Sequence, residues 1–86
     1  MDINQLSAIV KKKILSHKKI ESVQVEDKSF LHKHHKSNDL GKFHIKLKIK
    51  SDELKKINKI ISSKIIYKLL ESEMKHHIHS LQILFI

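Results

Sequence analysis

The chain has 86 residues and a formal net charge of +9, with 18 lysines, 9 acidic residues and neither arginine nor cysteine. A chain of this length forms one small domain with a thin core, which leaves little room for a deep catalytic cleft. Without cysteine it forms no disulfide, and it cannot by itself supply thiolates to zinc or to an iron–sulfur cluster.

We expect a cytoplasmic protein, because the sequence has no pattern typical of a membrane or targeting segment. No run of about 18 apolar residues occurs, which argues against a membrane-spanning helix. The first six residues include an acid and two side-chain amides, which is typical of neither a signal peptide nor a transit peptide.

The positive charge is compatible with two kinds of partner. A strongly basic chain attracts nucleic acid or an acidic protein surface through its electrostatic field. Apart from histidine, however, every basic residue is lysine, and arginine is the side chain that reads guanine through two hydrogen bonds. The charge alone therefore does not predict a DNA-binding protein.

The first predicted element is a helix that begins after Asp2. Asp2 and Gln5 have the spacing of a capping box, in which each side chain accepts a hydrogen bond from the other residue's backbone N–H group. Apolar residues then recur at helical spacing: Ile3, Leu6, Val10 and Ile14. We expect the helix to end near residues 17–19, where cations suit the helix dipole.

A short strand and a long loop follow. Val23 and Val25 alternate with polar residues, which predicts a half-buried strand. The periodicity then fails over about residues 28–41, and a loop of this length in a small domain is often functional. This predicted flexible loop carries three histidines: His32, His34 and His35.

The clearest strand follows the loop. Its apolar residues are Phe43, Ile45, Leu47 and Ile49. They alternate with His44 and with four lysines, which predicts one buried face and one basic, solvated face. On this pattern His44 is a surface histidine, more structural than ligating.

Residues 54–74 have a helical pattern, with a break expected near 55–58. Its apolar residues form two rows that we expect to pack in the core: Ile57, Ile61, Ile65 and Leu69, then Ile66, Leu70 and Met74.

Residues 78–86 form a nearly continuous apolar run, which predicts a central strand with His79 on the same face as Leu81. The order α-β-β-α-β predicts a single α/β (α+β) domain over residues 1–86.

Three segments carry a family resemblance. Residues 23–29 form a short strand followed by an acid and a serine, and His32 lies shortly after them. Gly41 begins a Gly-x-x-His strand that ends at Ser51, and residues 78–81 are similar to a terminal His-Ala-Leu strand. Together, in this order and over nearly the whole chain, these segments resemble the BolA-like protein family.

The resemblance implies a fold like the class II KH domain, with a three-stranded mixed sheet packed against helices. It implies a binding partner rather than an enzyme, and the partner implied is a monothiol glutaredoxin with glutathione. These supply thiolates to a shared [2Fe–2S] cluster, to which the BolA-like chain gives histidine. The implied role is iron–sulfur cluster assembly or trafficking, or iron homeostasis, and some members are described as transcriptional regulators.

The histidines fit that implied role differently. Imidazole is a suitable ligand for iron in a mixed histidine–thiolate cluster, and His79 and His32 stand at the positions that the resemblance assigns to ligands. His34 and His35 lie in the same loop and are alternatives to His32. The competing interpretations are a half-buried histidine bonded to backbone for His79 and a solvated polar loop for His32. We expect His17, His76 and His77 to be helix-end residues.

Two other functions stay open. The first is a nucleic-acid-binding regulator with a KH-like fold, contacting DNA through Lys59, Lys64 and Lys68. Against it, the family's basic triplet early in the long helix is here Ser62-Ser63-Lys64, and one glycine cannot form a Gly-x-x-Gly loop. The second is a zinc or nickel site in the histidine loop. No serine or lysine has an evident base partner, so nothing predicts catalysis, and we expect the free chain to be a monomer.

Overall fold

The computed structural model describes residues 1–29 and 42–86. His32, His34 and His35, with most of the predicted loop, lie outside the described residues. Within the described ranges, no helix combines the length and the apolar character needed to cross a bilayer.

The first helix, α1 (Ile3–Leu15), begins as predicted. The Asp2 carboxylate accepts from the Gln5 backbone N–H at 2.8 Å, and the Gln5 side-chain oxygen accepts from the Asp2 N–H at 3.0 Å. This confirms the capping box. The helix ends at Leu15, slightly earlier than predicted, and the hydroxyl of the C-cap residue Ser16 donates to the Lys13 carbonyl.

The sheet has three strands, β1 (Ser22–Asp27), β2 (Phe43–Lys50) and β3 (Ile78–Phe85), in the order β1-β2-β3. β1 pairs with β2 in antiparallel orientation, and β2 pairs with β3 in parallel orientation. The predicted mixed α/β class and the order α-β-β-α-β are therefore confirmed.

β3 is an edge strand, so the prediction of a central strand there is wrong. β2 has a neighbour on both sides, whereas β3 pairs only with β2 among the described strands. The residues of β3 that face the core, Leu81, Ile83 and Phe85, are accordingly only partly buried. An apolar run indicates that a strand is packed against other parts of the protein. It does not indicate whether the strand has a neighbouring strand on both edges.

The second helical region consists of three helices, α2 (Asp52–Lys56), α3 (Lys59–Leu69) and α4 (Glu71–His76). The break between α2 and α3 lies where the sequence predicts it, and a second break, at Leu70, was not predicted. Because α3 starts anew after the first break, Ile57 and Ile61 are exposed, and their predicted place in the core is wrong.

The core lies between the helices and one face of the sheet. Among residues 1–29 and 42–86, eleven buried apolar residues form it: Leu6, Val10, Ile14, Ile20, Ile45, Leu47, Ile49, Leu54, Ile66, Leu70 and Ile78. Alternation along β2 leaves the opposite, open face to His44, Lys46, Lys48 and Lys50. This open face is the one on which the site is built.

Candidate functional site: the histidine end of the sheet

One end of the sheet brings His79, a ligand position in the family resemblance, together with His44. Because β2 and β3 are parallel, both begin at this end, and the antiparallel β1 finishes there. The Phe43 N–H donates to the His77 carbonyl at 2.9 Å, and the Lys28 N–H donates to the His44 carbonyl at 2.7 Å. We call this region, with His44, His79 and Ser80, the histidine end.

A β-bulge sets the position of His79. Phe43 pairs with Ile78, but the next residue of β2, His44, pairs with Ser80. His79 is therefore an extra residue in β3, and a bulge of this kind redirects a side chain. Leu81 packs against the core, whereas His79 is exposed and lies beside His44, so the prediction that His79 shares the face of Leu81 is wrong.

His44 is buried, which corrects its prediction as a surface histidine. Only 6% of the residue is exposed, although it belongs to the lysine face of β2. Its Nδ1 lies 2.6 Å from the Ser80 hydroxyl, and its ring centroid lies 4.8 Å from that of His79, with the planes tilted by 60°. Side chains from β3 therefore cover it, and a strand pattern cannot reveal a cover that comes from another strand.

The segment Asp27-Lys28-Ser29, at the end of β1, supports the backbone of His44 from the β1 side of the sheet. The Asp27 carboxylate accepts from the Ser29 N–H at 2.9 Å, which turns the chain as it leaves the strand. The Ser29 hydroxyl then accepts from the His44 N–H at 3.1 Å. The segment thus has a structural role, and Ser29 and Ser80 are site residues that sequence reasoning missed. The only sequence signal for them is a serine near each histidine, and such a signal is weak.

His32 and the alternatives His34 and His35 lie outside the described residues. The described residues on either side of that segment, Ser29 and Lys42, adjoin the histidine end, since Ser29 bonds to His44 and Lys42 precedes Phe43.

Within the described residues, the metal-ligating side chains fit a group shared with a partner rather than one held by this chain alone. No set of three or more metal-ligating side chains occurs in the part of the chain that the structure describes. His79 is exposed, so its imidazole is accessible to a group that a partner carries. A chain without cysteine can add nitrogen ligands to such a group, and the thiolates must come from elsewhere.

The other histidines lie at helix ends, as predicted. His17 follows α1, and its Nδ1 accepts from the Lys19 N–H at 3.2 Å. His76 is the last residue of α4, and His77 caps that helix.

The alternative nucleic-acid residues lie on α3. Lys59, Lys64 and Lys68 are all exposed there. Of the two serines that replace the family's basic triplet, Ser62 is buried, and its hydroxyl donates to the Leu54 carbonyl at 2.6 Å. Ser62 therefore joins α3 to α2 and faces away from solvent, so it offers no surface contact to a partner.

The fold and the histidine end define a small α+β domain with a three-stranded mixed sheet and an exposed histidine at a bulge. The family model described as "BolA-like protein" matches residues 14–85. The chain therefore belongs to the BolA-like family, as its sequence resemblance predicts. Sequence comparison with curated proteins finds no match.

Two solved structures support the same family fold. The BolA domain of SufE1 from Arabidopsis thaliana is 26% identical, with a TM-score of 0.79, and the match covers 98% of this chain and 93% of that one. BolA1 from Arabidopsis thaliana is 23% identical, with a TM-score of 0.73, over 92% of this chain and 87% of that one. The latter similarity concerns the fold alone.

Proposed function

We propose that this chain is a non-enzymatic adaptor of the cytoplasm that binds a monothiol glutaredoxin with glutathione and shares a [2Fe–2S] cluster with it. In this role it takes part in iron–sulfur cluster assembly or trafficking, or in iron homeostasis. The observation that carries the proposal is the exposed His79 at a β-bulge, in a chain that belongs to the BolA-like family and has no cysteine of its own.

The donor chemistry supports a shared cluster. A [2Fe–2S] cluster supplies one-electron chemistry, and imidazole in place of thiolate raises its reduction potential. This chain's part is to present the His79 imidazole at the rim of the sheet, with a second nitrogen from His32 or from its alternatives His34 and His35. The lysines of the open face add a positive field, which favours an approaching anionic group.

The first test is reconstitution. The apo-protein is mixed with a monothiol glutaredoxin, iron, sulfide and glutathione, and the products are followed by visible circular dichroism and by mass in size-exclusion chromatography. We expect the free chain to run as a monomer and the mixture to yield a heterodimer whose spectrum differs from that of the glutaredoxin homodimer. If no complex forms with or without cluster, the proposal is wrong.

The second test assigns the ligand. We expect His79→Ala to weaken the cluster-bridged complex by at least about tenfold, because a metal ligand is lost. His76→Ala is the matched control, since His76 is also exposed but lies at the end of α4, and we expect it to leave the spectrum unchanged. A cluster spectrum that is the same in His79→Ala as in the wild type rules out His79 as a ligand.

A second candidate function is nucleic-acid binding by a transcriptional regulator. The observation that favours it is the set of exposed lysines on α3, namely Lys59, Lys64 and Lys68. The absence of arginine counts against sequence-specific readout. Tight, sequence-selective binding to DNA at physiological salt would support this function over the adaptor.

A further inference from the structure

We propose that His44 and Ser80 form a positioning pair that holds the His79 imidazole in the orientation in which it meets the partner's cluster. The role of this pair in cluster binding rests on the proposed function. The contacts among His44, Ser80 and His79 are present in the chain without a partner. His44 is a positioning residue here, since it acts through His79.

The backbone of His44 is fixed from the β1 side. Its carbonyl accepts from the Lys28 N–H at 2.7 Å, and its N–H donates to the Ser29 hydroxyl at 3.1 Å. Ser29 is held in turn by the Asp27 carboxylate. The Cα of His44 therefore has little freedom relative to the sheet.

The ring of His44 is fixed from the β3 side. The 2.6 Å contact between its Nδ1 and the Ser80 hydroxyl is short for a hydrogen bond and sets the direction of the imidazole plane. Ser80 is paired with His44 in the strand register because of the bulge, so the hydroxyl faces the ring across the ladder. In the His-Ala-Leu strand that this segment resembles, alanine stands at this position and offers no hydroxyl.

The fixed ring then restricts His79. A histidine side chain has two rotatable bonds, and fixing both of them on binding costs free energy. The His44 ring, with its centroid 4.8 Å away and its plane tilted, packs against one side of the His79 ring. This contact removes part of that freedom before the partner arrives, as second-shell groups do for metal-ligating histidines.

The test removes the hydroxyl and leaves both histidines in place. In Ser80→Ala the Nδ1 contact is lost, while Ser80→Thr restores a hydroxyl and suits a strand. Ser72→Ala is the control, because Ser72 is an exposed serine on α4. Nitrogen-15 NMR of the imidazole rings is recorded on the free chain, and the visible circular dichroism, reduction potential and affinity of the cluster-bridged complex are recorded with glutaredoxin.

In the free chain we expect Ser80→Ala to shift the His44 Nδ1 resonance and to broaden or shift the His79 ring signals, with Ser80→Thr and Ser72→Ala like the wild type. In the complex we expect Ser80→Ala to lower affinity by about tenfold, the lower end of second-shell effects on metal binding, and to change the cluster spectrum. Wild-type behaviour of Ser80→Thr shows that the effect of Ser80→Ala comes from the lost hydroxyl and not from a loss of the fold.

The proposal is overturned if the His79 ring signals of the free chain are the same in Ser80→Ala as in the wild type. It is also overturned if the complex of Ser80→Ala has the wild-type spectrum, potential and affinity. Failure of the wild-type chain to form any cluster-bridged complex instead contradicts the proposed function. The NMR measurement then still decides whether His44 and Ser80 hold His79.

Discussion

Buried polar side chains join separate helices of this small domain. The Ser62 hydroxyl donates to the Leu54 carbonyl at 2.6 Å, and both residues are buried. In α3 a serine at this position satisfies a carbonyl of α2 that water cannot reach. In the sequence alone, Ser62 is only one of the residues that stand in place of the family's basic triplet.

We expect Ser62→Ala to lower the free energy of unfolding by about 1–2 kcal/mol, because a buried acceptor loses its donor. Urea denaturation followed by circular dichroism measures the change. Ser63→Ala is the control, since Ser63 is only half-buried, and this substitution should change stability by less than about 0.5 kcal/mol. Equal effects of the two substitutions would contradict the role assigned to Ser62.

A second residue-scale link is the ion pair between α1 and α4. The Lys13 Nζ lies 2.8 and 2.7 Å from the two carboxylate oxygens of Glu73. The Glu73 side chain is 8% exposed and that of Lys13 is 39% exposed. The carboxylate is thus largely desolvated and depends on the lysine.

We expect Lys13→Met to destabilise the fold by about 1–2 kcal/mol, less than a fully buried pair would cost because Lys13 still reaches solvent. Lys12→Met, one residue away and exposed, is the control. A double-mutant cycle with Glu73→Gln measures the coupling between the two side chains. A coupling energy near zero would show that the pair does not stabilise the fold.

At the scale of elements, the face of the sheet on which a residue lies decides how much it contributes to stability. Leu47 lies on the core face of β2 and is fully buried, whereas Leu84, which pairs with Lys48, lies on the open face of β3 and is 40% exposed. The two residues are chemically identical, so they compare the two faces of the sheet directly.

We expect Leu47→Ala to cost about 2–5 kcal/mol, because it leaves a cavity in the core. Leu84→Ala is expected to cost less than about 1 kcal/mol, because the side chain loses little buried area. The urea midpoints of the two variants, compared at similar m-values, measure the difference. A larger loss at Leu84 would mean that the open face of the sheet is covered at β3.

At the scale of the whole molecule, the net charge of +9 governs weak association. Part of the charge is paired, as in Lys48 with Glu26 at 3.7 Å, but Lys59, Lys64 and Lys68 are exposed on α3. Exposed charges of one sign attract any polyanion, with or without sequence selectivity.

We expect duplex DNA to bind weakly, with an affinity that falls steeply between about 50 and 200 mM salt and does not depend on sequence. Replacing Lys59, Lys64 and Lys68 together by alanine should reduce the salt slope by up to about 3, if each lysine contacts one phosphate. Fluorescence anisotropy at several salt concentrations measures the slope. Sequence preference that survives at high salt would favour the regulator over the adaptor.

Much of the fold could be predicted because its signals are local. The capping box of Asp2 and Gln5, the alternation of β2 and the break before α3 each depend on residues a few positions apart. The break at Leu70 was missed, because the apolar spacing continues through it. His79 could be singled out only by family resemblance, since a single histidine in an apolar run has no local signature.

The sequence by itself determined the types and order of the elements, the family, and the fact that this chain has no thiolate of its own to offer. The tertiary structure alone decided that β3 is an edge strand, that His79 occupies a bulge, and that His44 is buried against Ser80. The reason is physical. Helical and strand periods are properties of neighbouring residues, whereas pairing partners and register shifts come from contacts between segments more than thirty residues apart in the chain, and those contacts exist only once the chain has folded.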